Sequence, residues 1–332
     1  MELSALRHHG DVDVDPGMVD FAVNVFGAAP PDWLQQRLRA RLADLGSYPG
    51  DGAAARAAVA ARHGRRPEEV LLLAGAAEGF AMLPRLRPRL AAVLHPSFTE
   101  PELALREAGV PVAQVLLERP YRLDAGAVPD AADLVVLGNP TNPTSVLHPA
   151  AAITALRRPG RLLVVDEAFL DVVPGEPESL AGQSLPDVLV FRSLTKTWAL
   201  AGLRCGYVLG HPDVLARLAH GRAHWPLGTL QLEAIAACAT ADTEPIARTV
   251  AQWRAHSIDL LEGFDVHTPA AAPFLLLRVP HGDLVRKRLR EKGIAVRRCD
   301  TFPGLSADHL RVAVREPALA ARLAAALREV TA

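Results

Sequence analysis

Between residues 70 and 209 the chain alternates short apolar runs with helical segments, and no other feature restricts its fold as much. The runs lie at 70–73, 91–94, 112–117, 134–137, 162–165, 188–191 and 207–209. Several are apolar at every position, as expected of strands covered on both faces. Helical spacing fills the gaps at 78–86, 100–108 and 149–157. Strands that alternate with helices build a mainly parallel α/β sheet, and seven runs predict seven strands.

The flanks differ from this rhythm. Residues 1–29 are polar and turn-rich, with a short apolar piece at 21–25, and read as an N-terminal arm. Pro30-Pro31-Asp32 marks a helix start, and Leu34, Leu38, Leu42 and Leu45 keep helical spacing over 32–45. A second, Ala-rich helix covers 52–63. After residue 211 a long helical region (212–262), broken near Trp225-Pro226, leads into strand 274–279, helix 282–292, strands 294–297 and 310–314, and helix 317–330. The expected division is an arm (1–29), a large α/β domain (30–222) and a smaller α+β domain (223–332).

Bulk properties exclude several functions. A net charge of −1 offers no basic field for nucleic acid or an acidic membrane surface. The three cysteines are far apart, fit neither a disulfide framework nor a zinc site, and point to a reducing, cytoplasmic compartment. No run is long and apolar enough to span a membrane or to act as an export signal.

The polar residues gather where the predicted strands end, the edge at which open α/β sheets bind ligands. Gly75-Ala76-Ala77-Glu78 is a strand-to-helix turn whose amides can meet an anion, although most such turns only connect. Asn142 stands in the proline-held loop NPTNPT, a site for an amide donor or simply a rigid loop. Asp166 ends an apolar run, where a carboxylate is costly without a positive partner, an arginine being one choice. Lys196 is one of only three lysines among 36 basic Lys and Arg residues. Lys287 and Lys292 lie in the charged run RKRLREK, a solvated helix face, whereas Lys196 follows an apolar run among hydroxyls. A strand-end lysine can serve only to reach solvent. Lysine, unlike arginine, can also lose its proton and attack a carbonyl. Together with Arg204, this set of amine, carboxylate, amide and guanidinium suits pyridoxal phosphate.

Those residues carry a family resemblance. SLTKTWALAGLRCGY, with NPTNPT, VVDEAF and GAAEGF, resembles fold-type I pyridoxal-phosphate enzymes of the histidinol-phosphate aminotransferase branch over nearly the whole chain. The resemblance implies a homodimer and a set of roles. Lys196 would join the cofactor aldehyde, Asp166 would pair with the pyridine nitrogen, and Asn142 would bond the ring oxygen. Ser193, Thr195, Arg204 and the amides of Ala76 and Ala77 would hold the phosphate, and Phe98 would stack on the ring. Tyr48 would reach the cofactor phosphate of a neighbouring subunit. Arg311 would bind the substrate carboxylate, with Arg297, His9 and Asn24 near the substrate's phosphate or carboxylate. Two positions depart from the aminotransferase pattern: Phe169 replaces a tyrosine, and Ser145 replaces a glycine.

Within the branch, HHGD (8–11), DFAVN (20–24), RSLTK (192–196) and VRRCDTFPGL…HLRVAV (296–314) resemble threonine-phosphate decarboxylases of cobalamin biosynthesis. The leading expectation is therefore a lyase that converts L-threonine O-3-phosphate to 1-amino-2-propanol phosphate. The competing one is an aminotransferase for histidinol phosphate or a related phosphorylated amine. A cofactor-binding regulatory module and a nonenzymatic scaffold stand further off, because the catalytic set is complete and no DNA-binding segment is attached.

Overall fold

A computed structural model describes residues 3–332 of the chain. Among the described residues, the strands are β1 (Val19–Phe21), β2 (Val70–Leu73), β3 (Ala91–His95), β4 (Val112–Leu116), β5 (Leu134–Gly138), β6 (Leu162–Asp166), β7 (Val188–Ser193), β8 (Gly206–Leu209), β9 (Asp265–Val266), β10 (Phe274–Arg278), β11 (Ile294–Arg298) and β12 (His309–Ala313). The helices are α1 (Leu3–Leu6), α2 (Asp32–Ala40), α3 (Ala53–His63), α4 (Ala76–Met82), α5 (Glu100–Glu107), α6 (Ala150–Thr154), α7 (Pro212–Ala219), α8 (Thr229–Ala239), α9 (Glu244–Leu260), α10 (Gly282–Glu291) and α11 (Pro317–Thr331). None of these helices is long and apolar enough to cross a membrane.

Seven strands form one sheet in the order β2-β8-β7-β6-β5-β3-β4, parallel except for β8. The continuous apolar runs have the expected cause. Ala92, Leu94, Val135 and Leu137 pack into a core on one face, while Ala91, Val93, Leu134 and Val136 pack on the other. Helix α8 joins the first of these cores through Ala234, Ile235, Ala237 and Cys238. The second sheet has the order β1-β11-β12-β10-β9 and packs its apolar face on α9, α10 and α11.

Two expected elements differ. The helix expected over 32–45 is α-helical only to Ala40 and continues as a 3₁₀ turn over Leu42–Gly46. Leu42 and Leu45 are each 53% exposed, so their spacing marks a surface and not a core-facing stripe. Within the expected arm, Val19–Phe21 forms a strand, pairing in parallel with β11 through Val19↔Ile294 and Phe21↔Val296. Three residues are too short to show a period, and Phe21 is held by burial in the small-sheet core. The charged run on α10 is not wholly solvated: Arg290 donates to the Asp13 carbonyl at 2.7 Å, and Arg288 to the Val330 carbonyl at 2.9 Å.

Candidate active site

A cavity of about 490 Å³ opens where the carboxyl ends of β2, β5, β6 and β7 face β11 and β12, and every site residue expected from the sequence except Tyr48 lines it. Parallel pairing explains the convergence: Gly138 stands opposite Asp166, and Asp166 opposite Phe191, so neighbouring strands end at one level. The loops that follow then place Asn142, Asp166 and Lys196 side by side around one space.

Lys196 and Asp166 form the charged centre. Burial, with help from Arg311 and Arg204, lowers the Lys196 amine to about 8. Burial raises the Asp166 carboxyl to about 7, against the pull of the Ala168 amide and of Lys196. Oδ1 of Asp166 accepts from Ala168 N at 3.1 Å, and no arginine pairs with it among the described residues. The neighbouring Glu167 is the one neutralised by arginine, meeting Arg192 at 2.8 Å. Its other oxygen accepts from the Leu180 amide at 2.7 Å. Asp166 is thereby left free to face the cavity.

The opposite rim of the cavity floor is a cradle for an anion. Gly75 has φ 79°, and a Cβ there would come within 2.9 Å of Arg204 Nη2, so Arg204 closes directly over the turn. Ser193 and Thr195 join through their hydroxyls at 2.7 Å, and Ala76 and Ala77 begin α4 beside them. Gly206 is crowded from two sides: a Cβ would lie 2.8 Å from the Arg192 carbonyl and 2.9 Å from the Ala76 amide nitrogen.

The second sheet supplies the cations. Arg297 on β11 and Arg311 on β12 are directly opposed in register, and like charges so placed are unfavourable unless an anion joins them. Both side chains are buried. Arg311 Nη1 donates to Asn142 Oδ1 at 2.7 Å, and Nη2 donates to the Ala22 carbonyl. Its Nε and the Asn24 Oδ1 are buried without a hydrogen-bond partner. Burial, and after it Arg297, lowers the Arg311 guanidinium to about 9. Arg297 donates to the carbonyls of His8 (2.7 Å) and Arg298 (2.6 Å) and to Thr301 Oγ1 (2.8 Å).

Phe98 lines the cavity wall, in a chain of rings from His9 (5.7 Å) through Phe80 (6.1 Å) to Phe191. Phe169 adds no hydroxyl; it packs edge-on against Phe274 at 5.0 Å. Ser145 adopts φ 64°, the left-handed region that favours glycine. Its hydroxyl accepts from the Ala272 amide at 2.8 Å, which ties the strained loop to the approach to β10. Tyr48 lies outside this cavity, 78% exposed and stacked on Trp225 at 4.4 Å. Lining or supporting residues that the sequence does not single out include His8, Thr99, Glu100, Thr301 and Phe302. Only the acidic first turn of α5 hinted at Glu100.

Pyridoxal phosphate, the cofactor that the resemblance implies, fits these residues. The cradle offers amides, hydroxyls and a guanidinium, the floor an amine and a buried carboxyl, and the wall an aromatic ring. Gly206→Ala is expected to push the Ala76 amide out of the cradle and to weaken cofactor binding at least about tenfold. Titration of the cofactor's absorbance measures this, and an unchanged Kd rejects the crowding argument.

A family model described as "Aminotransferase class I and II" matches residues 16–327. A Mycobacterium bovis protein named histidinol-phosphate aminotransferase is 56% identical over 97% of this chain and 91% of its own length. A Salmonella typhimurium protein named threonine-phosphate decarboxylase is 30% identical over 94% of this chain and 91% of its own. The crystal structure of the histidinol-phosphate aminotransferase from Clostridium acetobutylicum superposes with a TM-score of 0.88, at 22% identity, over 95% of this chain and 99% of that one. The fold is thus fold-type I, as the resemblance implied. The expectation of a threonine-phosphate decarboxylase, and with it a lyase of cobalamin biosynthesis, does not stand against 56% identity to an aminotransferase. Its physical weakness is that the chain ends that suggested it line the substrate end of the cavity. Groups there recognise an anion and do not report which bond at Cα breaks.

Proposed function

Since the chain belongs to the aminotransferase class I and II family and pyridoxal 5′-phosphate is its cofactor, we propose that it transfers the amino group of histidinol phosphate, or of a related phosphorylated amine, to a keto acid. The observation that carries this reading is the likeness to the M. bovis histidinol-phosphate aminotransferase over almost the full length of both chains.

Lys196 would hold the cofactor by its amine, Asp166 by the ring nitrogen, and Asn142 by the ring oxygen. Phe98 would cover the ring. Ala76, Ala77, Ser193, Thr195 and Arg204 would take its phosphate. When bound, the cofactor supplies an electron-accepting pyridinium ring for the pair released at the substrate's Cα. The chain's own work is then proton handling and placement. Lys196 Nζ, brought to about 8 by burial, is a base matched to neutral pH and takes the Cα proton. The Asp166 carboxylate would keep the ring nitrogen protonated. Arg311 holds an anionic group of the amine or of the keto acid, already braced by Asn142. Arg297, His9 and Asn24 complete the anionic end.

A homodimer belongs to this reading. Tyr48 and Trp225 form an exposed aromatic stack near exposed Leu42 and Leu45, an apolar patch that a second copy would cover while bringing Tyr48 to its cofactor phosphate. The three buried, free cysteines support a reducing, cytoplasmic setting.

The test mixes the purified, cofactor-loaded protein with L-histidinol phosphate and 2-oxoglutarate. Glutamate should form only when both are present, and L-threonine O-3-phosphate should release no CO2. Absence of keto-acid-dependent turnover with any phosphorylated amine overturns the proposal.

A further inference from the structure

Residues 6–13 form a strap along the solvent end of the cavity, and it is fastened from both walls. From the α5 side, Thr99 Oγ1 donates to the Leu6 carbonyl at 2.7 Å, and Glu100 Oε1 meets His9 Nε2 at 2.6 Å. From the second sheet, Arg297 Nη2 donates to the His8 carbonyl at 2.7 Å. Asp13, itself buried, meets His8 at 3.2 Å and Arg286 at 3.3 Å. The strap also runs tight against the chain after β1, because a Cβ on Gly10 would lie 2.5 Å from the Ala22 carbonyl.

Asp11 and Glu100 are both carboxylates lining the cavity here, and Glu100 is the one bonded to the strap's imidazole. Its carboxylate lines the same cavity as Arg297 and Arg311, where an unpaired negative charge would repel an anionic substrate. The carboxylate bonds the His9 imidazole and holds its ring 5.7 Å from that of Phe98. Three Arg297 N–H bonds go to the carbonyls of His8 and Arg298 and to Thr301, which sets its orientation together with the strap's and leaves its other N–H groups for a ligand. A phosphate arriving between Arg297 and His9 therefore meets groups that Glu100 and Thr99 keep in place.

We propose that Glu100 is a positioning residue for the phosphate-bearing end of the substrate, acting through His9 and the strap that carries it. This rests on the proposed function only for the presence of a phosphate on the substrate. It assigns to the first turn of α5 a part in choosing the substrate, whereas the cofactor residues leave that choice open. Glu100 contacts neither the cradle nor Lys196 and should leave the chemical step alone.

The experiment compares Glu100→Ala with Glu100→Gln, which removes the charge but can still bond to the imidazole. In Glu100→Ala, KM for the phosphorylated amine should rise roughly tenfold with kcat changed less than about twofold, and Glu100→Gln should recover most of the loss. Hydrogen exchange of residues 5–13 gives a second reading that needs no turnover. Inorganic phosphate should slow exchange there in the wild type and in Glu100→Gln, and not in Glu100→Ala. Unchanged KM and unchanged exchange in Glu100→Ala overturn the proposal, as does a loss of kcat and KM together that Gln fails to rescue. If the wild type shows no transamination, the proposed function fails, and the exchange measurement with inorganic phosphate still decides the role of Glu100.

Discussion

Lys196→Ala is expected to lower kcat by about four orders of magnitude or more. A well-placed general base alone contributes roughly 10²–10⁴-fold, and this lysine is also the proposed covalent attachment for the cofactor. Its surroundings show why no neighbour can substitute. The basic groups that act on it are Arg311 and Arg204, and both guanidiniums hold their protons at neutral pH, Arg311 even with burial lowering it to about 9. The absorbance of the bound cofactor should change as its amine partner disappears, and an added primary amine should restore part of the rate. If the spectrum and the rate both survive in Lys196→Ala, another group holds the cofactor.

Asp166→Asn should act in opposite senses on turnover and on stability. For turnover, the ring nitrogen loses an anionic partner in a buried site, and kcat should fall roughly 10²–10³-fold. For stability, burial raises the Asp166 carboxyl to about 7 in the folded, cofactor-free protein. Between the ordinary carboxylate range near 4 and about 7, the folded state keeps a proton that the unfolded chain has released. Its stability must therefore fall as pH rises through that window and stay low above 7. The asparagine variant carries no such cost. At pH 8 the cofactor-free variant should be more stable than the wild type by about 2 kcal/mol, a figure that allows for water in the cavity and for the lost attraction to Lys196. The gap should close as the pH approaches 4. Urea unfolding at the two pH values measures it, and an equal gap at both removes Asp166 as its source.

The two variants bear on how the fold serves the site. The sheet ends hold an unpaired carboxyl, an amine near neutrality and two opposed arginines, each unfavourable in an empty site. The seven-stranded sheet tolerates this because its strands are buried on both faces and fixed in register before the loops add any chemistry.

Much of that framework is legible in the residues themselves. The seven runs of the large sheet are local signals, since a strand covered on both faces must be apolar throughout. The helix expected over 32–45 runs past the end of α2 because Leu42 and Leu45 keep the spacing of a core stripe while lying at the surface. β1 was missed as a strand because its identity comes from pairing with β11 at the other end of the chain. The choice of reaction class was misjudged from the chain ends, which hold anion-binding groups common to both candidate reactions.

Residue order alone sets the α/β architecture and the cofactor, and it singles out Asn142, Asp166, Lys196 and Arg204 as the candidate centre. Asp166 ends an apolar run and Lys196 closely follows one, whereas Asn142 and Arg204 stand in the loops beside them. Only the tertiary structure decided that Arg297 and Arg311 stand opposite each other on β11 and β12, that Glu167 and not Asp166 takes Arg192, and that Glu100 holds His9. These contacts join residues far apart in the chain. Strand register and packing bring them together, and no local pattern of residues encodes that distance.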